Sequence, residues 1–219
     1  MTLVTRMRAT TASRHARAER SGIVAAILSG RASRTGYALY LRNLLPAYRG
    51  MERALERQEA LAAVRQLARP ALYRADRIAA DLVALIGPDW CDQVPLLPSG
   101  ERYAARVEWA GAGNGTRLIA HAYTRYLGDL SGGQILRRRL AQQFGPGFPV
   151  TFAEFPGIGE GGAFVAAFRA ALNRAASQTM DDEPVLREAI TAFDLNIELS
   201  LEVNAAARHV DTDPDIAPM

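Results

Sequence analysis

Apolar residues recur at three- and four-residue intervals along almost the entire chain, and nowhere do they alternate over the length of a strand. That pattern confines the fold to packed helices. It predicts about eight of them in one all-α domain covering residues 1–208, followed by a polar tail, 209–219, with two prolines. No internal repeat and no domain linker interrupts it.

The spacing predicts helices over about Thr5–Glu19 and Gly22–Ser29. A third starts at an Ser33 N-cap and carries Tyr37, Leu41, Leu44, Leu45, Tyr48 and Leu55 on its apolar stripe. Pro46 and Gly50 are expected to kink or split it. Further helices cover Ala71–Ile86, stopping at "GPDW", and Glu101–Ala110. A long one runs from Thr116 to Phe144 and stops at "GPG". The last two cover Ala163–Gln178 and Glu183–Arg208. "VPLLPSG" and "FPVTFAEFPGIGEGG" read as loops.

Composition narrows the function classes. A single cysteine, Cys91, excludes an internal disulfide and fits a reducing cytoplasm; with no nearby histidine it reads as an inert thiol. No apolar run approaches the roughly 20 residues of a membrane helix, and the first residues lack a signal-like apolar stretch. Every basic residue is arginine. Residues 1–60 hold 11 Arg against 4 acids, whereas the remainder is net acidic, so the basic character belongs to the N-terminal quarter. No zinc-finger spacing or RNP-like motif accompanies it, and nucleic acid is not an expected partner.

Two features carry chemistry. The first is "YLGDLSGGQIL", Tyr126 to Leu136, which places three glycines inside a long helix. Each costs roughly 1 kcal/mol relative to alanine. Gly128 and Gly132 share a face, leaving a bare strip of backbone that another body can approach. Close helix packing and a flat ligand both satisfy that strip. Asp129 lies between the two glycines and stabilises no helix end; it is either a solvated residue or a holder of water beside a ligand. The second feature is His15, with Glu19 one turn later on the same face as a hydrogen-bonding orienter and Arg8 two turns earlier. One histidine is a poor zinc site but is enough for heme iron.

"HAYTRYLGDLSGGQIL", His121 to Leu136, resembles the signature of the heme oxygenases. "RATTASRHARAE", "GYALYLRNLLPAYRGMERALE", "FPVTFAEFPGI", "FRAALN" and "AFDLNIELSLE" resemble further segments of that family, so the likeness covers most of the chain. It implies heme sandwiched between a proximal helix and a kinked distal helix, with heme as both cofactor and substrate. His15 would ligate the iron, with Glu19 as its partner. Gly128 and Gly132 would touch the heme face, and Gly133 would let the helix flex. Asp129 would order distal water, and Tyr48 would join that network. Arg8, Tyr123 and Arg169 would address the propionates; Phe193 and Asn196 would belong to the pocket wall. Where animal members place further lysines this sequence has Ala12 and Val165, with Arg14 or Arg174 as substitutes at the heme edge. Ser200 stands where a second aromatic is expected. His121 reads as structural or solvent-facing, because a second strong ligand would leave no place for O2.

The resemblance implies cleavage of heme to biliverdin, CO and ferrous iron with O2. Electrons would come from a separate ferredoxin- or flavodoxin-type reductase system, docked on the basic N-terminal quarter of a cytoplasmic monomer without a membrane anchor. A heme carrier or sensor on the same fold needs His15 but not Asp129. A heme-free bundle of thiaminase-like fold leaves the glycine strip and the His15–Glu19 pair unexplained.

Overall fold

The computed structural model describes residues 1–57, 62–156, 158, 162–177 and 181–212, and every regular element among them is helical. Two helices form the middle of the molecule. The third, α3 (Arg34–Arg57), packs on α5 (Ala75–Ile86), α7 (Pro98–Ala110) and α11 (Glu183–Thr212). In turn α11 also carries α1 (Leu3–Glu19), α2 (Gly22–Leu28) and α8 (Leu118–Ala122). The remaining helices are α4 (Ala62–Arg65), α6 (Trp90–Gln93), α9 (Gln134–Phe144) and α10 (Gly162–Ser177). No described helix is long and apolar enough to cross a membrane.

Contrary to the expected break, α3 runs unbroken through Pro46 and Gly50. A helix-interior proline costs about 3 kcal/mol. Burial outweighs it: Leu41, Leu44, Leu45, Tyr48, Met51 and Leu55 are all sealed from solvent, each worth roughly 2 kcal/mol. The Ser33 cap is formed, its hydroxyl accepting from the Gly36 N–H at 2.9 Å.

Other boundaries moved for local reasons. At its start α7 includes Pro98, Ser99 and Gly100, read from sequence as loop; proline suits the first helical turn, where its missing N–H is no loss. Residues Pro70–Leu72 form a separate 3₁₀ turn, so α5 starts at Ala75 rather than Ala71. Its N-terminus is capped from afar, the Glu52 carboxylate accepting from the N–H groups of Arg74 (2.6 Å) and Ala75 (3.3 Å). The last helix continues to Thr212, four residues into the predicted tail; residues 213–219, most of the loop at 157–161 and Gln178 lie outside the described residues.

Ser200 also finds an explanation. Its hydroxyl accepts from the Val24 N–H (3.2 Å) and donates to the Ser21 carbonyl (3.0 Å), fastening the start of α2 to α11. The approach is so close that a Cβ on Gly22, at φ +58°, would fall 2.1 Å from the Ser200 carbonyl oxygen. Only glycine fits there.

Glu52 is almost fully buried, and burial pushes its carboxyl up to about 7 despite the two N–H groups and Arg74, which act the other way. A carboxyl raised on folding binds its proton more tightly in the native state, so its contribution is present below the unfolded value of 4.5 and is lost as pH rises to about 7. We expect stability to fall across that window by up to about 3 kcal/mol from this group, and Glu52→Gln to flatten the slope. Urea unfolding at pH 5 and pH 8 measures both.

Candidate active site

The predicted Thr116–Phe144 helix is one continuous rod but not one regular helix. Between α8 and α9 the backbone widens into two π-helical turns, Tyr123–Leu127 and Asp129–Gly133, joined at Gly128. Wide turns of this kind commonly mark functional segments, and glycines without Cβ atoms lower the cost of leaving α geometry. The three glycines divide into two kinds. A Cβ at Gly128 or Gly132 would meet nothing within 4 Å, so those two form the bare strip. Gly133 is buried on the opposite side, where a Cβ would lie 3.8 Å from that of Ala153.

Asp129 is not a solvated residue. It is 5% exposed, and its carboxylate accepts from the Tyr48 hydroxyl at 2.5 Å and from Arg125 Nη2 at 3.4 Å. Arg125 also donates from Nε to the Tyr48 oxygen (2.8 Å) and from Nη1 to Asn196 Oδ1 (2.7 Å). Four side chains from α3, the π segment and α11 thus form one closed network. The sequence reading missed Arg125. The available signal was its i, i+4 spacing to Asp129, which places a cation and an acid on one helix face.

Burial sets the protonation states here. It raises Asp129 above the ordinary carboxylate range, although Arg125, the Tyr48 hydrogen bond and the more distant Arg74 pull the other way. Burial likewise holds Tyr48 well above its usual value, so it keeps its proton and donates. Burial works against the Arg125 charge, but Tyr48, Asp129, Tyr40 and Tyr103 outweigh it and the guanidinium stays cationic.

The proximal candidates lie on and around α1. His15 is 59% exposed, with its Nδ1 3.8 Å from Glu19 Oε1. That is beyond hydrogen-bond range, so the expected orienting bond is not formed, and both side chains are largely exposed to solvent. The His15 ring lies 6.0 Å from the buried Phe193 ring. Arg8, Tyr123 and Arg169 converge from α1, the π segment and α10. Burial raises the Tyr123 phenol, while a hydrogen bond with Thr11 and the charges of Arg8 and Arg169 draw it down. The proposed substitutes at this edge are committed elsewhere, Arg14 to Asp194 (2.9 Å) and Arg174 to Gln66 (2.8 Å). His121 is fully buried, its Nε2 2.9 Å from Glu188 Oε1, and Glu188 is held in turn by Arg106. It is a core residue.

No group of three or more His, Cys, Asp or Glu able to hold a bare metal ion occurs among the described residues. A single accessible imidazole, a helix face without Cβ atoms and two arginines beside a phenol instead fit a flat, anionic macrocycle whose metal comes already ligated in its plane.

The sequence profile of heme oxygenases matches residues 1–202. Heme oxygenase 1 of rat is 35% identical over 207 residues, covering 91% of this chain and 71% of its own length. Heme oxygenase 1 of a Nostoc species is 33% identical over 203 residues, covering 92% and 85%. Among solved structures, heme oxygenase-2 from Synechocystis in complex with heme and NO superposes with a TM-score of 0.87 at 30% identity, covering 95% of this chain and 88% of that one. Heme oxygenase-1 from the same cyanobacterium, in complex with heme, gives 0.84 at 29%, covering 95% of both. Fold and site thus define an all-α oxidoreductase that acts on heme. The chain belongs to the heme oxygenase family, whose general activity is degradation of heme with O2 to biliverdin.

Because a methyl group at Gly128 touches no protein atom, Gly128→Ala should leave the apo protein as stable or raise its stability by about 0.5–1 kcal/mol. The same methyl stands on the strip and should weaken hemin affinity at least tenfold. Apo-protein melts and hemin titrations test the two halves separately.

Proposed function

We propose that this chain degrades heme between α1 and the π-helical segment, where His15 would hold the iron and the bare Gly128–Gly132 strip would make room for the ring. When bound, heme supplies both the iron that activates O2 and the meso carbon that is oxidised. The strip itself carries no side chains. Asp129 is the acceptor that holds water beside it, Tyr48 keeps a proton on the network, and Arg125 fixes both in place. Arg8, Tyr123 and Arg169 hold the propionates and so orient the ring. Glu19 orients His15 once a ligand restrains the imidazole. Gly133, packed on Ala153, hinges the segment.

The observation that carries this reading is the closed Asp129–Tyr48–Arg125–Asn196 network standing behind a bare backbone strip. A carrier needs the strip but has no use for a sealed proton-holding network. Hemin followed by reductant in air should give a Soret band that decays as a bilin band rises. His15→Ala should shift or abolish the initial Soret band. A wild-type Soret band that persists under reductant would overturn the degradative reading.

The electron donor is proposed to be an acidic ferredoxin- or flavodoxin-type protein, with the chain acting as a cytoplasmic monomer. Arg6 and Arg14 are already neutralised, by Asp182 with Glu183 and by Asp194. Arg17 and Arg20 are exposed at the end of α1 and have no ion-pair partner among the described residues. Reversing both to Glu should slow ferredoxin-driven turnover several-fold at low salt and leave ascorbate-driven turnover unchanged. Equal rates with ferredoxin would remove α1 from the docking surface.

A further inference from the structure

The largest fully buried side chain in the protein is an arginine outside the network described above. Arg74 is 1% exposed and stands at the N-terminus of α5. Among the described residues its guanidinium bonds to no carboxylate. It donates instead to four backbone carbonyls: Leu72 (3.0 Å), Ala71 (2.9 Å), Phe152 (3.2 Å) and Glu154. The Phe155 ring covers it at 4.0 Å. A buried guanidinium is costly to place without hydrogen-bond partners, and here the carbonyl fork takes up four of its five N–H donors.

That fork fixes the 3₁₀ turn Thr151–Ala153 and its exit. Asp81 of α5 secures the other end of the turn, accepting from the N–H groups of Thr151 and Phe152 at 2.9 Å each. The turn is the floor of the distal site. Ala153 lies beneath Gly133, and its carbonyl accepts from Gln134 at 2.7 Å. Phe152 meets the Tyr48 ring edge-on at 6.5 Å. Tyr48 and the Gly133 end of the Asp129 segment therefore both contact the turn that Arg74 holds.

We propose that Arg74 is a positioning residue of the distal network: its guanidinium clamps the Thr151–Glu154 turn against Tyr48 and the Asp129–Gly133 segment, and places a fixed positive charge behind Asp129. The charged and titratable groups facing Asp129 are then Tyr48 and Tyr40 from α3, Tyr103 from α7, Arg125 and Tyr126 on its own helix, and Arg74 from the start of α5. Tyr40 and Tyr103 face Arg125 from α3 and α7. Glu52 is the carboxylate nearest in the chain to Tyr48, one turn further along α3, and it bonds to the Arg74 backbone rather than to the guanidinium. Arg125 holds Asp129 by contact, and Arg74 acts on it through the turn and through space.

This inference rests on the heme-degrading reading, and two variants test it apart from that reading. Arg74→Lys keeps the charge but cannot span four carbonyls. Arg74→Gln removes the charge as well. In the apo protein, the ¹³C carboxyl resonance of Asp129, assigned with Asp129→Asn, reports its titration midpoint. Losing a buried cation favours the protonated acid, so Arg74→Gln should raise that midpoint by about one pH unit, while Arg74→Lys should leave it near the wild-type value. With hemin, Arg74→Lys should bind within about threefold of wild type. It should also lose about tenfold in biliverdin yield per electron, with peroxide released instead, and Arg74→Gln should move the acid limb of turnover to higher pH. An unchanged Asp129 midpoint in Arg74→Gln overturns the proposal. So does a wild-type biliverdin yield per electron in Arg74→Lys. If Arg74→Gln does not fold, the Arg74→Lys yield decides alone. A wild-type protein that binds hemin without degrading it refutes the heme-degrading reading, and the apo titration still decides the role of Arg74.

Discussion

A carboxylate almost sealed from water is the constraint around which this fold is arranged. Asp129 sits inside a helix, where an acid gains nothing from the helix dipole, and its burial would be prohibitive without partners. The partners come from across the chain: Tyr48 from the middle of α3, Arg125 one turn earlier, and Asn196 from α11 to hold Arg125. The two central helices cannot shift relative to the π segment without breaking these bonds. Packing of α3 against α11 is therefore also the positioning of the polar network, and core stability and site geometry rest on the same contacts.

The two sides of the site are built to different standards. On the distal side, hydrogen bonds over distances of 71 to 81 residues in sequence hold each polar group. On the proximal side His15 is exposed and its partner stands 3.8 Å away. Such a contrast suits a ligand that supplies its own order, since an imidazole bound to a metal is fixed by that bond. Catalytic water has no covalent tether, and its position depends wholly on the protein groups around it.

Much of the fold was legible because its signals are local. Ser33 capped α3, and the helices before "GPDW" and "GPG" end at Gly87 and Gly145, both at positive φ. The glycine strip was legible for the same reason: i, i+4 spacing is a property of a short stretch. The features that escaped are those in which distant residues replace a local rule. Glu52 caps a helix that begins 23 residues later, so no sequence window around Ala75 shows the cap. Pro46 marks a break that buried neighbours override. Arg74 looks like any other arginine in a chain rich in them, and only the tertiary fold separates it from solvated ones; Arg125 offered no more than its i, i+4 spacing to Asp129. The π turns escaped because helical spacing assumes a constant number of residues per turn.

Those π turns have a consequence for the helix as a whole. A wide turn takes in more residues than an α turn, so residues beyond it face a different direction from the one a uniform helix would give them. His121 and Ala122 before the widened stretch, and Leu140 after it, are all buried, yet the stretch between them carries the bare backbone strip of Gly128 and Gly132. The rod behaves as two helices with separate phases, a fully buried α8 and a largely exposed α9, spliced through a segment that absorbs the difference. A one-residue insertion in that splice would reset the phase of α9 relative to α8. It would rotate an apolar stripe away from its core, while leaving every motif residue present in the chain.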